Sequence, residues 1–126
     1  MGIMRMQPEF RHEDERGCLT QLVHEGYEQV NVLCSKKGAV RGNHYHKNTL
    51  EAFYILFGSV NLTYRDVEQK DGDYKKMFSA GDFFSITPYT VHKMEFPEDC
   101  IMVQLYSRTV EIENGKKDIF KEADNG

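Results

Sequence analysis

Short apolar runs, several alternating with polar residues, recur along the chain between turn-forming clusters. Leu19 to Val23, Gln29 to Cys34, Phe53 to Phe57, Val60 to Tyr64, Phe83 to Ile86 and Ile101 to Tyr106 have the β-branched and aromatic content of strands. In Val60-Asn61-Leu62-Thr63-Tyr64 every second side chain is apolar, the period of a strand with one buried face. Arg16-Gly17, Lys37-Gly38, Asp71-Gly72-Asp73, Ala80-Gly81-Asp82 and Asn114-Gly115 supply turn chemistry between the runs. No segment keeps a helical period, and Glu111 to Gly126 is charged, so a short helix or a frayed tail is expected there. Many short strands at close spacing predict an all-β sandwich or small barrel, with less than about a fifth of its residues helical.

The chain has 126 residues, enough for one domain over 1–126, with 1–13 as an N-terminal strand or arm and 108–126 as a C-terminal tail. It is 40% apolar and 29% charged, which suits a packed domain rather than a disordered one. The net charge of -4 lacks the basic excess of a nucleic-acid binder. No apolar run approaches the ~20 residues of a membrane span. Met1 to Phe10 holds no signal-peptide apolar region, and Met6 stands where a myristoylation signal needs Ser or Thr. No nucleic acid, no membrane and a cytoplasmic location are therefore expected. Cys18, Cys34 and Cys100 are widely spaced and form no CxxC pair, so all three are expected to be reduced, buried, small hydrophobes.

Three of the five histidines join a pattern that carries chemistry. His44 and His46 are two apart, so on a strand both leave the same face. Glu51 leads the next apolar strand after a Lys47-Asn48-Thr49 turn, and folding back antiparallel would put its carboxylate beside the imidazoles. His92 comes from a later strand and closes the set. Three imidazoles and one carboxylate suit a borderline divalent metal such as zinc, manganese, iron, nickel or copper. His12 and His24 fit no pattern and are expected to face solvent.

The spacing Gly38-x5-His44-x-His46-x4-Glu51-x6-Gly58 resembles the first cupin motif with every position filled. Gly81 and His92 match the second motif, whereas Pro88 lies one place late. Thr87 and Tyr89 stand where a proline and a second glycine are usual, and Phe96 replaces an asparagine. The resemblance runs from about Asp14 to Ser107 and implies a cupin fold, a double-stranded β-helix or jelly-roll-like small barrel with the metal in its mouth. Asp14-Glu15-Arg16-Gly17, Gln29-Val30-Asn31-Val32 and Ser35 to Tyr45 are similar to the dTDP-4-dehydrorhamnose 3,5-epimerase family. Arg41-Gly42-Asn43-His44-x-His46-Lys47 and His92 to Cys100 look more like the dTDP-sugar 3,4-ketoisomerases, and the Gly-Asn-His-x-His stretch with the following Glu also resembles capsular-polysaccharide cupin domains. These RmlC-like groups imply a nucleotide-activated keto sugar as ligand, Arg16, Arg41 and Lys47 as its contacts, His44 and His46 as catalytic residues, and a homodimer. The ketoisomerases carry Gln where this chain has Glu51 and work without metal.

Moving a keto group or inverting its neighbour requires removal of the proton α to a carbonyl and stabilisation of an enediolate. If Glu51 completes a metal site, His44 and His46 are ligands and the proton passes to another group, such as Tyr54 or Tyr106. Strand parity puts residues 40, 42, 44 and 46 on one face, so Arg41 reaches the site only if Gly42 permits a bulge. Three readings remain open on the sequence: an isomerase or epimerase of a nucleotide sugar in polysaccharide or deoxysugar biosynthesis, a metal-dependent oxygenase or lyase, and a sugar- or metal-binding cupin without turnover.

Overall fold

The structure, a computed structural model, describes residues 2–69, 72–111 and 115–121. In chain order its strands are β1 (Ile3–Met6), β2 (Phe10–Asp14), β3 (Gly17–Gln21), β4 (Gln29–Ser35), β5 (Val40–Tyr45) and β6 (Glu51–Phe57). They continue with β7 (Ser59–Asp66), β8 (Tyr74–Ser79), β9 (Phe83–Ile86), β10 (Thr90–Glu95), β11 (Cys100–Tyr106) and β12 (Phe120–Lys121). Two five-stranded antiparallel sheets, ordered β1-β9-β6-β11-β4 and β12-β5-β10-β7-β8, form a sandwich of jelly-roll type, and β2-β3 stands apart as a hairpin. Among the described residues there is no α-helix, as the turn spacing predicts.

All six runs read as strands fall on strands, although β3 ends at Gln21 and leaves Leu22 and Val23 outside it. The alternation in β7 resolves as expected, with Val60 and Leu62 buried and Asn61 exposed. Between the sheets, Phe53, Ile55, Val60, Leu62, Phe78, Phe84, Ile86, Met94, Phe96, Cys100 and Met102 pack into one core. Phe78 and Phe84 stack there with centroids 3.9 Å apart. This apolar plug fills part of the sandwich and leaves the remainder to polar side chains. Gly58, between β6 and β7, has φ +84° and sits so close to the β10–β11 turn that a Cβ would lie 2.1 Å from the Asp99 carbonyl oxygen. Only glycine fits where these two connections between the sheets meet.

Several expectations change. β5 and β6 do not pair as a hairpin: they lie in opposite sheets, because the 46–50 connection crosses the sandwich. The C-terminal segment is neither helix nor frayed tail where it is described. β12 pairs with β5, and Asp118 before it is buried. Residues 112–114 and 122–126 lie outside the described residues. Cys100 is buried, whereas Cys18 and Cys34 are exposed. Cys18 is on the detached hairpin, and Cys34 shares the outward face of edge strand β4 with Val30 and Val32. Among the described residues no helix is long and apolar enough to cross a membrane.

Candidate metal centre and cavity

His44 and His92 face each other across the β5–β10 ladder. The register slips beside them: His92 pairs with His44 and Lys93 with Gly42, so Asn43 is the extra residue of a β-bulge. Gly42 and Asn43 take the positive φ values of +95° and +64° that such a bulge needs. The extra residue resets the parity of β5. Arg41, three positions before His44, therefore opens onto the same cavity, as the glycine in its sequence suggests.

Glu51 reaches the imidazoles from the opposite sheet. Its Oε1 lies 2.6 Å from His46 Nε2 and 3.2 Å from His92 Nε2, and all three side chains are almost fully buried. The His44 ring stands edge-on to both others, with centroids 5.2 Å from His46 and 4.7 Å from His92. Each of the four residues offers a ligand atom, and these atoms lie within 4.8 Å of one another.

The hydrogen bonds fix the tautomers. His46 Nδ1 lies 2.5 Å from the Asp118 carbonyl oxygen and His92 Nδ1 lies 3.0 Å from that of Thr90. A carbonyl only accepts, so both rings carry a proton on Nδ1. When neutral, they turn bare Nε2 lone pairs toward a carboxylate, which also only accepts. His46 Nε2 and Glu51 Oε1 are accordingly buried without a well-directed hydrogen bond despite their proximity. A cation or extra protons must occupy such a set of facing acceptors, and the Nδ1–carbonyl pattern is how proteins orient histidine ligands. The four residues fit a divalent metal.

Burial, then the neighbouring His92, pushes His44 down to about 4. Burial also opposes a charge on His46, but the adjoining Glu51 carboxylate outweighs it and raises His46 above its ordinary value. Burial would raise Glu51, yet the His46 and His92 imidazoles against its carboxylate hold it well below the usual carboxylate range. Gln104 Nε2 donates to Glu51 Oε2 at 3.2 Å and is itself steadied by Asn31, whose Nδ2 donates to Gln104 Oε1 at 3.0 Å.

A cavity of about 400 Å³ opens over this cluster, lined by His44, Glu51 and His92, by Arg41, Gln104 and Tyr106, and by apolar residues including Phe53 and Met94. It lies within the size range of small-molecule sites and mixes apolar walls with a few polar groups as they do. The Arg41 guanidinium is pinned at the rim, Nε donating to Ser35 Oγ at 2.8 Å and one terminal nitrogen to the Cys34 carbonyl at 3.4 Å. Tyr106 packs edge-on to His46 with centroids 5.8 Å apart. Burial, followed by the Glu51 charge, pushes its phenol up, so it meets a ligand as an O–H donor.

Three residues expected at the site are elsewhere in the chain. Tyr54 is three places from Glu51 on a regular strand, so it leaves the other face of the sheet and packs edge-on to Phe83 in the cluster of Ala52, Phe83 and Leu105. Lys47 follows His46 but turns outward, its Nζ 4.3 Å from the centroid of Phe120. Arg16 is at the tip of the β2–β3 hairpin, bonded to Asp14 and largely exposed, and is not among the residues lining the cavity. His12 and His24 are exposed, as expected. The loop before His92 compensates for its departures from the motif. Tyr89, at the usual glycine position, takes φ +62°, stacks on Tyr45, and donates its N–H to the His46 carbonyl oxygen at 2.7 Å.

Residues 12–117 match the family described as the polysaccharide biosynthesis C-terminal domain. No curated protein matches the chain in sequence. Among solved structures, the 3,4-ketoisomerase QdtA from Thermoanaerobacterium thermosaccharolyticum, in complex with TDP, is 20% identical, with a TM-score of 0.77 over 98% of this chain and 90% of that one. The dTDP-4-dehydrorhamnose 3,5-epimerase from Sulfolobus tokodaii is 23% identical, with a TM-score of 0.67 over 86% of this chain and 71% of that one. CapF, a capsular polysaccharide assembling protein from Staphylococcus aureus, is 22% identical, with a TM-score of 0.68 over 92% of this chain, which spans only 33% of CapF. The fold shared with these proteins is the RmlC-like cupin.

Proposed function

Because the chain belongs to the polysaccharide biosynthesis C-terminal domain family, we propose that it binds a nucleotide-activated keto sugar and catalyses its isomerisation or epimerisation over a divalent cation held by His44, His46, Glu51 and His92. The observation that carries this reading is the bulge at Gly42 and Asn43, which brings a pinned guanidinium to the cavity of the imidazole–carboxylate cluster. An oxygenase or a simple metal binder has no need of such a group, whereas a diphosphate does. Neighbours of the same fold point the same way, QdtA having been crystallised with TDP and with TDP-4-keto-6-deoxyglucose.

In this reading Arg41 holds the diphosphate at the rim, and Phe53 and Met94 exclude water from the inner wall. The Tyr106 hydroxyl donates to a sugar oxygen, and Gln104 keeps Glu51 aimed at the cluster. The bound cation would supply Lewis-acid stabilisation of the negative charge that develops as the α proton leaves. A metal-free version has one observation in its favour: His44 is held neutral and opens onto the cavity, so its unprotonated ring nitrogen is free to take that proton.

Arg41→Ala tests the carrying observation. It should weaken binding of the free nucleoside diphosphate and of the nucleotide sugar by about 1.5–3 kcal/mol, roughly tenfold to a hundredfold, with metal content unchanged. Calorimetric titration reads this directly, and equal affinity in mutant and wild type would remove Arg41 from the site. We further propose a homodimer, supported by the outward face of edge strand β4, where Val30 and Val32 are 62% and 64% exposed. Light scattering should give twice the chain mass, and the mass of a single chain would refute it.

A further inference from the structure

Asp118 spends its carboxylate and its carbonyl oxygen on the segment carrying His46. Its Oδ1 accepts the Lys47 N–H at 2.9 Å, and its Oδ2 accepts the Asn48 N–H at 2.9 Å and the Thr49 hydroxyl at 2.7 Å. Its own carbonyl oxygen accepts from His46 Nδ1, and its N–H donates to the Val110 carbonyl at 2.8 Å. The side chain is 1% exposed. A buried carboxylate is stable only where donors surround it, and here backbone amides and a hydroxyl do so. We propose that Asp118 is a positioning residue of the site: its carboxylate fixes the 47–49 loop that joins His46 to Glu51, and its carbonyl fixes the ring of His46.

The two functions belong together. The loop from 47 to 50 carries the chain from one sheet to the other, so its shape sets the distance between His46 and Glu51. No ladder holds that loop, since β5 ends at Tyr45 and β6 begins at Glu51. Among the described residues, the segment bearing Asp118 is likewise lightly tied by strand pairing, through Phe120 and Lys121 to β5 and a single Glu111–Lys117 bridge. Phe120 adds a stack on Tyr45 and lies under Lys47. The carboxylate between these contacts locks two short irregular pieces of chain to each other, and a ring protonated on Nε2 would have no lone pair to offer the cluster. His92 has a separate anchor in the Thr90 carbonyl and provides an internal control.

This inference rests on His46 being a working member of the site and does not depend on which ion, if any, it holds. The test uses the full chain as wild type, Asp118→Ala and Asp118→Asn. Zinc affinity is read by competition with a chelator, and imidazole N–H protons of the metal-free protein are read by nitrogen-15 NMR. The wild type should show two exchange-protected Nδ1 protons, from His46 and His92. In Asp118→Ala the His46 signal should disappear while that of His92 stays, and zinc affinity should fall by about 10–100-fold. Asp118→Asn keeps one acceptor but turns an amide toward a donor, so an intermediate loss is expected; if the alanine variant does not fold, this variant decides by the same readouts. A persisting His46 signal, or loss of both signals together, overturns the proposal. A wild type that binds no zinc overturns the metal reading of the site and leaves the proton comparison to decide this one.

Discussion

Glu51→Gln should weaken zinc binding by about two orders of magnitude while leaving the fold in place. Structural zinc sites contribute about 10–16 kcal/mol through four ligands, so one ligand accounts for roughly 3 kcal/mol, on the order of a hundredfold. Glutamine has the volume of glutamate, and its amide can donate to a bare imidazole Nε2, so the buried position stays satisfied. The dTDP-sugar 3,4-ketoisomerases that the sequence resembles carry Gln at this place, which argues that the fold accepts it. Added zinc should raise the melting temperature of the wild type, because a ligand that binds only the folded state stabilises it by mass action. The variant should lose most of that rise. An equal rise in both proteins would show that Glu51 is no ligand, and full turnover by a metal-free variant would favour the reading with His44 as base.

Gly42→Ala should damage the site from a residue without a side chain. At φ +95° an alanine is strained by about 1–3 kcal/mol, and its Cβ would lie 2.8 Å from the His92 carbonyl oxygen. That oxygen is backbone, so β5 and β10 must part beside the His44–His92 pair. Relief by straightening the bulge would restore regular parity and turn Arg41 away from the cavity. Zinc affinity and nucleotide affinity should therefore fall together, each by about tenfold to a hundredfold, the first because the ligands lose their orientation and the second because the guanidinium contact is lost. Paired calorimetric titrations measure both, and a variant that loses neither would dissociate the bulge from the site.

The parts of this site legible in the sequence are those whose position follows from local chain geometry. His44 and His46 are close in sequence, and the glycines flanking them mark the ends of strands. Gly42 announces the bulge because few other residues allow it. Tyr54 misled for a reason that period-2 parity already contained: with Glu51 and Phe53 facing the interior, Tyr54 must face out. The pairing of β5 with β6 was expected because hairpins dominate short connections, yet the 46–50 loop crosses between sheets. Arg16 and Lys47 depend on packing far along the chain, on a hairpin that pairs with no other strand among the described residues and on Phe120 of the C-terminal segment. β8 hid behind Tyr74, Lys75 and Lys76, since an edge strand with charged residues lacks the alternation of a half-buried one. Asp118 left one faint signal, the apolar pair Ile119-Phe120 directly after it in an otherwise charged stretch.

The central claim is that this cavity removes a proton next to the carbonyl of a nucleotide-linked keto sugar. Zinc-loaded wild-type protein incubated in D2O with TDP-4-keto-6-deoxyglucose, followed by proton NMR, tests it most directly. Hydrogen should be lost from carbon 3, with deuterium entering there or, where the keto group moves, at carbon 4, and at carbon 5 as well if both neighbours of the carbonyl are inverted, at a rate far above that of the sugar alone. A sugar that binds with its carbon-bound hydrogens unexchanged would contradict the account and leave a binding module in its place.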